Sequence, residues 1–343
     1  MPAHSTSTKE HQNSNDHRRV LVSGGAGFIG SHLVDQLLDR GHAVTVVDNL
    51  STGRRANLPD EHPRLRFIEA DVAAALDAFG PGERFDRVYH LAASVGVKLV
   101  MDDPIAAIEN NVEQTAALLR FVESHRDDLP GGVPTLIVSS SEVYGKLDSE
   151  TFSEDDDVVY GPTTVGRWAY AGSKAMDEYL ALAYHRTGRA PTSIVRLFNT
   201  VGPRQVGAYG MVLPRFVAAA IKGEPLEVHG DGEQSRCFCD VRDVVDALAL
   251  MLESPGCLGQ VVNIGSDRAI SIRDLATMVL AETGSDSKIR TISYDQAYPP
   301  GFEDLHRRKP DLDRARRLLG FDPKINLEQT IRDVAAWLRE NDP

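Results

Sequence analysis

Tyr170 and Lys174 stand at i and i+4 in Arg167-Trp168-Ala169-Tyr170-Ala171-Gly172-Ser173-Lys174. The stretch reads as helix, so a phenol and an ammonium leave the same helix face. A Lys held close to a Tyr favours the phenolate and draws its pKa from about 10 toward working pH, which makes a base able to take a hydroxyl proton. That is the chemistry of oxidising an alcohol. Upstream, Ser139-Ser140-Ser141-Glu142-Val143-Tyr144-Gly145 follows an apolar strand, Thr135 to Ser139, so its hydroxyls emerge at a strand end. A serine there can hold a substrate hydroxyl against the Tyr170 base, and the carboxylate beside it can carry a second proton transfer. Ser140, Ser141, Glu142, Tyr170 and Lys174 form the candidate catalytic set.

These side chains need a scaffold and an electron acceptor, and the start of the chain supplies the pattern for both. Val20-Leu21-Val22 reads as a short buried strand, followed by Ser23-Gly24-Gly25-Ala26-Gly27-Phe28-Ile29-Gly30 and an apolar-periodic helix from Ser31 to about Arg40. Gly24 permits the tight turn, Gly27 lets the backbone approach a pyrophosphate at the helix N-terminus, and Gly30 allows close packing of helix on strand. A second strand, Ala43 to Val47, ends in Asp48-Asn49 about twenty residues downstream, where a carboxylate hydrogen-bonds a ribose 2'-hydroxyl and repels a 2'-phosphate. The expected cofactor is therefore NAD rather than NADP.

The alternation continues along the chain. Leu65 to Ala70 reads as a strand ending in Asp71-Val72, where an adenine is held, and Arg87 to Leu91 as another. The latter leads into Leu91-Ala92-Ala93-Ser94 beside the pyrophosphate and nicotinamide ribose. With Phe28 and Ile29 of the glycine turn, these residues complete the expected cofactor wall. A long helical pattern runs from Pro104 to about Ser124. Strands separated by helices of this length give a doubly wound parallel α/β sheet, with its ligand crevice at the carboxyl ends of the strands. Beyond Asp240 the pattern gives a helix from Val241 to Leu252, a strand from Gln260 to Ile264, a helix from Ser271 to about Thr283 and a last helical pair around Gly320-Phe321-Asp322-Pro323.

Composition narrows the partners. A formal net charge of -13 argues against a nucleic acid or an anionic membrane surface, so an anionic ligand must be met by local Arg and helix N-termini. Three cysteines, Cys237, Cys239 and Cys257, form neither a disulfide framework nor a metal quartet, and we expect reduced thiols in a cytoplasmic protein without a metal. No apolar run reaches membrane-spanning length, and the start lacks a signal-peptide pattern. The first residues are rich in His, Ser, Thr and Asn, the composition of a disordered tail.

Taken together, Gly24-x-x-Gly27-x-x-Gly30, Ser140 and Tyr170-x-x-x-Lys174 resemble the extended short-chain dehydrogenase/reductase superfamily, in its nucleotide-sugar branch. The likeness runs from about Arg19 to Leu338. It implies an NAD-binding Rossmann domain over residues 18–198 behind a tail at 1–17, and a smaller C-terminal α/β substrate domain over 199–343, from which about 240–265 returns to the first. It further implies a homodimer packed through the long helices starting near Pro104 and Arg167, and chemistry begun by hydride transfer from C4 of a sugar. Arg196-Leu197-Phe198-Asn199-Thr200-Val201-Gly202-Pro203-Arg204 is similar to the segment whose Asn, here Asn199, contacts the diphosphate, with Arg204 at its end as a second substrate contact. Pro225 to Gly232 with Ser235-Arg236-Cys237-Phe238 resembles the uridine and phosphate loop, with Arg236 as anion partner. Arg307-Arg308-Lys309-Pro310 resembles the late basic motif that closes over the substrate, and Arg308 suits a carboxylate or phosphate by its forked geometry.

Within that branch a C4 ketone leads to a 4-epimer, a 4,6-dehydrated sugar, or a pentose formed by loss of the C6 carboxylate. Simple epimerases tend to lack a carboxylate before Val-Tyr-Gly, whereas decarboxylases and dehydratases carry Glu there. Dehydratases of dTDP-glucose typically have Asp-Glu; the Ser141-Glu142 pair here is similar to UDP-glucuronate decarboxylases. Phe152-Ser153-Glu154-Asp155 through Gly161-Pro162 to Arg167-Trp168-x-Tyr170 also resembles decarboxylases of the aminoarabinose and apiose pathways. The apiose-forming relatives place Cys where Ser141 stands. Ser94-Val95-Gly96-Val97-Lys98-Leu99-Val100 departs from the decarboxylase sugar loop toward epimerase-like sequences, with Lys98 its one cation. UDP-glucuronate decarboxylation therefore ranks first, 4-epimerisation of UDP-glucose or UDP-glucuronate second and 4,6-dehydration third. A non-catalytic NAD-binding sensor or scaffold is opposed by the intact Ser140, Glu142, Tyr170 and Lys174.

Overall fold

The structure is a computed structural model, and it describes residues 17–80, 82–93, 103–207, 211–297 and 308–341. In chain order the strands are β1 (Arg19–Ser23), β2 (Ala43–Asp48), β3 (Leu65–Glu69), β4 (Arg87–His90), β5 (Thr135–Ser140), β6 (Thr192–Leu197), β7 (Thr200–Val201), β8 (Leu226–His229), β9 (Ser235–Cys237), β10 (Cys239–Asp240), β11 (Val261–Ile264), β12 (Ala269–Ser271) and β13 (Ile289–Ile292). The helices are α1 (Phe28–Asp39), α2 (Val72–Ala78), α3 (Pro104–Ser124), α4 (Trp168–Arg186), α5 (Val212–Lys222), α6 (Val241–Glu253), α7 (Ile272–Thr283), α8 (Tyr294–Ala297), α9 (Asp313–Leu319) and α10 (Leu327–Asn341).

Seven strands form one parallel sheet in the order β11-β6-β5-β4-β1-β2-β3. The order reverses between β1 and β4, so the chain leaves these neighbours in opposite directions and opens a crevice at their carboxyl ends. Period-two alternation sends β1 side chains to opposite layers. Val20 and Val22 join a core with Leu33, Val34 and Leu37 of α1, and with Val244 and Leu248 of α6. Leu21 joins a second core with Leu118, Leu119 and Val122 of α3, and with Ala181 and Tyr184 of α4. Both layers are closed by helices, which is why the central strands read as continuous apolar runs.

A third core gathers Leu213, Phe216 and Val217 of α5, Val228 of β8, Leu275 and Val279 of α7, and Ile331 and Val334 of α10. The pair β8–β13 lies at its edge. β11 meanwhile adds to the main sheet beside β6, and Leu312, Ala315 and Phe321 join the α1–α6 layer. The late chain thus crosses back under the sheet before its last helix. No helix of the described residues is long and apolar enough to cross a membrane.

A buried histidine fixes the crevice floor. His90 at the end of β4 is hydrogen-bonded through Nδ1 to Ser23 Oγ of β1 (2.6 Å) and through Nε2 to Thr115 Oγ1 of α3 (3.1 Å). Burial pushes its pKa down to about 3, with the Lys174 charge acting in the same direction, so it stays neutral as a structural link.

Candidate active site

The cofactor end is built largely from backbone. Gly24, at φ +71°, has no room for a side chain, since a Cβ there would lie 2.6 Å from the Ala92 nitrogen. The turns after β1 and β4 therefore touch at the point where strand order reverses. A Cβ on Gly30 would collide with the Gly24 carbonyl, whereas one on Gly27 would meet only that same oxygen, at 3.2 Å, within 4 Å. Gly27 is also the extended N-cap of α1 and brings no side-chain cap, leaving the first amides of the helix for a ligand. Asp48 Oδ2 accepts from Ala26 N (2.9 Å) and Oδ1 from Leu50 N (2.8 Å), so this carboxylate braces the glycine turn as well as facing the cavity. Asn49 Nδ2 donates to Asp71 Oδ1 at 2.7 Å and ties the β2 and β3 exits together.

The opposite end is built from side chains. Ser140 ends β5 and its Oγ accepts from Glu142 N (3.2 Å), which starts a single 3₁₀ turn, Ser141–Tyr144, and turns Glu142 into the crevice. α4 is locked against the sheet by Glu178, which binds Arg196 of β6 at 2.7 Å and accepts from Ser139 Oγ of β5 at 2.5 Å. That buried link sets the register of Tyr170 against Ser140, and both line the same cavity.

Lys174 has a partner one turn further along its own helix. Its Nζ pairs with Asp177 Oδ2 at 2.7 Å, both side chains being fully buried, so its charge is compensated within one helical turn. Burial is the main cause that raises the Tyr170 pKa above its ordinary value, and the Glu142 charge adds to it, while the Ser140 hydrogen bond and Arg308 oppose it. Ser140 and Arg308 are thus the neighbours that favour the phenolate against burial and the Glu142 charge.

Glu142 is the centre of an ionic corner. Arg308 Nη1 donates to its Oε1 at 2.6 Å, and Arg167 Nη2 lies 3.8 Å from its Oε2. Burial opposes the charge, but Arg308 and Arg167, with Arg236 behind them, outweigh it and hold the carboxyl below its usual range. Arg308 arrives from 166 residues away because its segment is stitched down. Phe152 N donates to Lys309 O (2.8 Å), Asp311 N donates to Phe152 O (2.9 Å), and Asn263 of β11 donates to the same Phe152 carbonyl (2.9 Å). Tyr144 of the 3₁₀ turn completes the frame by donating to Asn263 Oδ1 at 2.8 Å.

A cavity of about 500 Å³ joins the two ends. Gly24, Gly27, Phe28, Ile29 and Gly30 line it with Asp48, Asn49, Asp71 and Val72, and so do Leu91, Ala92 and Ala93. Ser140, Ser141, Glu142, Tyr170, Lys174, Asn199, Arg236 and Arg308 line it too. Arg204 is the correction. It sits in a left-handed turn (φ +70°) after Pro203, pairs with Asp35 of α1 at 2.8 Å and does not line the cavity. Ser94, Lys98 and Arg307 lie outside the described residues. Sequence reasoning passed over Arg167 and Asp177, both visible in principle at helical spacing from Tyr170 and Lys174.

Residues 20–265 match the NAD dependent epimerase/dehydratase family, and the chain belongs to it. It is 40% identical over 325 residues to a UDP-N-acetyl-alpha-D-glucosaminuronate decarboxylase from Bacillus cytotoxicus, covering 94% of this chain and 98% of the relative. It is 34% identical to UDP-glucuronic acid decarboxylase 1 of Xenopus tropicalis, covering 95% of this chain and 73% of that one. Among solved structures, a dTDP-glucose 4,6-dehydratase from Streptomyces venezuelae with NAD bound matches with a TM-score of 0.81 at 32% identity, over 94% of this chain and 97% of the other. A UDP-glucose 4-epimerase from Thermotoga maritima gives 0.82 at 27% identity, over 94% and 99%. Overall shape therefore does not separate an epimerase from a dehydratase.

Proposed function

We propose that this chain decarboxylates a UDP-linked hexuronate, with UDP-glucuronate as the first substrate to test, and yields a UDP-pentose. The observation that carries this reading is the ionised Glu142 clasped by Arg308 beside Tyr170. A neutral hexose gives such a cluster nothing to bind, whereas a C6 carboxylate matches its surplus of guanidinium charge. Decarboxylation of a UDP-linked uronate is named for the curated relatives, UDP-glucuronate for the Xenopus tropicalis protein and UDP-N-acetyl-alpha-D-glucosaminuronate for the Bacillus cytotoxicus one.

The residues present fit NAD. Gly27 leaves its face open, the first amides of α1 are unclaimed by a cap, and Asp48 stands at the β2 exit where a 2'-phosphate would be repelled. Bound there, NAD supplies a hydride acceptor for C4 and the positive charge of its oxidised nicotinamide. Ser140 orients the C4 hydroxyl and the Tyr170 oxygen takes its proton. With a ketone at C4 the C6 carboxylate is that of a β-keto acid. Its bond to C5 breaks to release carbon dioxide, with the electron pair drawn into the ketone as an enolate. C5 then takes a proton, and C4 takes back the hydride it gave up while its oxygen recovers the proton from Tyr170. The guanidinium charge gathered around Glu142 attracts the leaving carboxylate, and the Glu142 charge favours retention of the proton on Tyr170. Asn199 and Arg236, which line the same cavity, are assigned to the diphosphate.

Ile105 and Ile108 on α3 and Met176 and Tyr179 on α4 are exposed on two helices packed against each other, which supports a homodimer through that face. Cys237, Cys239 and Cys257 are free and buried, in keeping with a cytoplasmic setting.

Proton NMR of the purified protein with UDP-glucuronate, run with carbon dioxide detection, tests the reading. A UDP-pentose anomeric signal with carbon dioxide supports it. UDP-galacturonate without carbon dioxide replaces it with 4-epimerisation, and silence with both UDP-glucuronate and its 2-acetamido counterpart overturns it.

A further inference from the structure

Arg167, Tyr170 and Lys174 occupy i, i+3 and i+7 at the start of α4, a single stripe along one helix face, and all three line the cavity. Arg308 and Arg167 approach different oxygens of the Glu142 carboxylate, Oε1 and Oε2. Arg308 is committed to Glu142 by a 2.6 Å hydrogen bond and by its stitched backbone. Arg236 donates to the Ser235 carbonyl at 2.8 Å from β9. Arg167 lies 3.8 Å from Glu142, beyond hydrogen-bond distance, so charge alone relates the two.

Its guanidinium is also preorganised. Only 6% of the Arg167 side chain is exposed, and its Cζ stands 5.4 Å from the Trp168 ring centroid. Trp168 is itself buried, packed so closely on Gly161 that a Cβ there would collide with the indole nitrogen. A planar cation stacked on a fixed aromatic plate loses little freedom when it binds, and it presents two parallel donors to a carboxylate.

We propose that Arg167 is a specificity-determining residue that receives the C6 carboxylate of the substrate, while Arg308 serves chiefly to hold Glu142. This assignment rests on the hexuronate reading above. It names the residue that separates a uronate from a neutral sugar one turn away from the Tyr170 base.

The test is equilibrium binding of UDP, UDP-glucose and UDP-glucuronate to the NAD-loaded protein, together with KM and kcat for carbon dioxide release, in wild type, Arg167→Gln, Arg167→Lys, Glu142→Gln and the Glu142→Gln/Arg167→Gln double variant. Arg167→Gln is expected to weaken UDP-glucuronate by about 10- to 100-fold and leave UDP and UDP-glucose within about 3-fold. Arg167→Lys is expected to fall between, since it keeps the charge and loses the fork. The loss is expected to persist in the double variant. Equal weakening of all three ligands, or no further loss when Arg167→Gln is added to Glu142→Gln, overturns the assignment. Should Arg167→Gln fail to fold by thermal unfolding, the Lys variant carries the same comparison through its ratio of UDP-glucuronate to UDP-glucose affinity. A wild-type protein that turns over a neutral UDP-sugar and releases no carbon dioxide from either hexuronate removes the hexuronate reading itself. A wild-type decarboxylase whose Arg167 variants lose every ligand alike removes only the role of Arg167.

Discussion

The two ends of the cavity are made in opposite ways. At the cofactor end a run of neighbouring residues, Gly24 to Gly30, offers backbone to the ligand, and Asp48 holds that backbone in shape. At the sugar end Ser140 and Glu142, Tyr170, Arg236 and Arg308 come from four separate segments, and their meeting leans on bonds made by other residues, Glu178, Asn263, Tyr144 and the Phe152 backbone. The first is a local motif with one conformation available to it. The second is an assembly whose geometry depends on the whole fold, and there chemistry can be altered without losing the cofactor.

If that division holds, the largest effect comes from Tyr170→Phe. Removing the hydroxyl that takes the C4 proton is expected to lower kcat by about 10³- to 10⁴-fold with bound NAD content unchanged. Steady-state carbon dioxide release and the nucleotide content of the denatured protein check both halves of the statement. A parallel loss of NAD would break the division, because the phenol would then belong to the cofactor end.

Glu142→Gln sharpens the division within the sugar end. It keeps the shape and removes the charge, so decarboxylation is expected to fall by about 10²- to 10³-fold. The burial and the Glu142 charge both raise the Tyr170 pKa, so the acid limb of the pH profile for cofactor reduction is expected to move to lower pH in this variant. Absorbance of the reduced cofactor in a single turnover separates oxidation from carbon dioxide loss. Unchanged carbon dioxide release would remove Glu142 from the chemistry.

How much of this was legible follows the same line. The parallel sheet, the glycine turn and the helix from Pro104 to Ser124 are readable because period and spacing are local properties, and the structure places that helix at the same residues. The first helix reads as starting near Ser31, yet it starts at Phe28, since glycines that look like loop supply the cap and first turn. The clasp between Glu142 and Arg308 is invisible in sequence because nothing local relates residues 166 apart. Lys174 is legible as a cation on the helix face of Tyr170, but its ion pair is not. Asp177, at i+3 and fully buried, pairs with the ammonium. Arg204 looked like a substrate contact by its place after Asn199, but the left-handed turn sends it to Asp35.

Gly30→Ala probes the cofactor end with a smaller expected effect. The added methyl must displace the Gly24 carbonyl and approach Gly25 Cα at 2.8 Å, and backbone gives way less easily than a side chain. Overpacking of this kind costs about 1–3 kcal/mol. The variant is expected to melt earlier and to purify with less NAD, while the turnover of each NAD-loaded molecule stays near wild type. Thermal unfolding and activity normalised to bound NAD measure this, and a fall in normalised turnover would show that the glycine turn also positions the reacting groups.

The smallest effect is the pH dependence of stability, and it has opposite signs at two carboxylates. Glu142 has its folded pKa depressed, with burial opposed and outweighed by Arg308 and Arg167. Its stabilising contribution is therefore complete above the unfolded value, about 4.3, and is lost as pH falls through the lower folded value. Asp177 has its pKa raised, burial outweighing the Lys174 charge, so its ionised form costs stability near neutrality and that cost is relieved as pH falls through the raised value. Each unit of displacement corresponds to about 1.4 kcal/mol. The stability of wild type relative to Glu142→Gln is accordingly expected to be greatest near pH 6 to 7 and to shrink below about pH 4, which denaturant titrations at a series of pH values can follow. A difference that stays constant down to pH 3 would mean that the guanidiniums do not hold Glu142 ionised, and the surplus charge assigned to the sugar end would lose its physical basis.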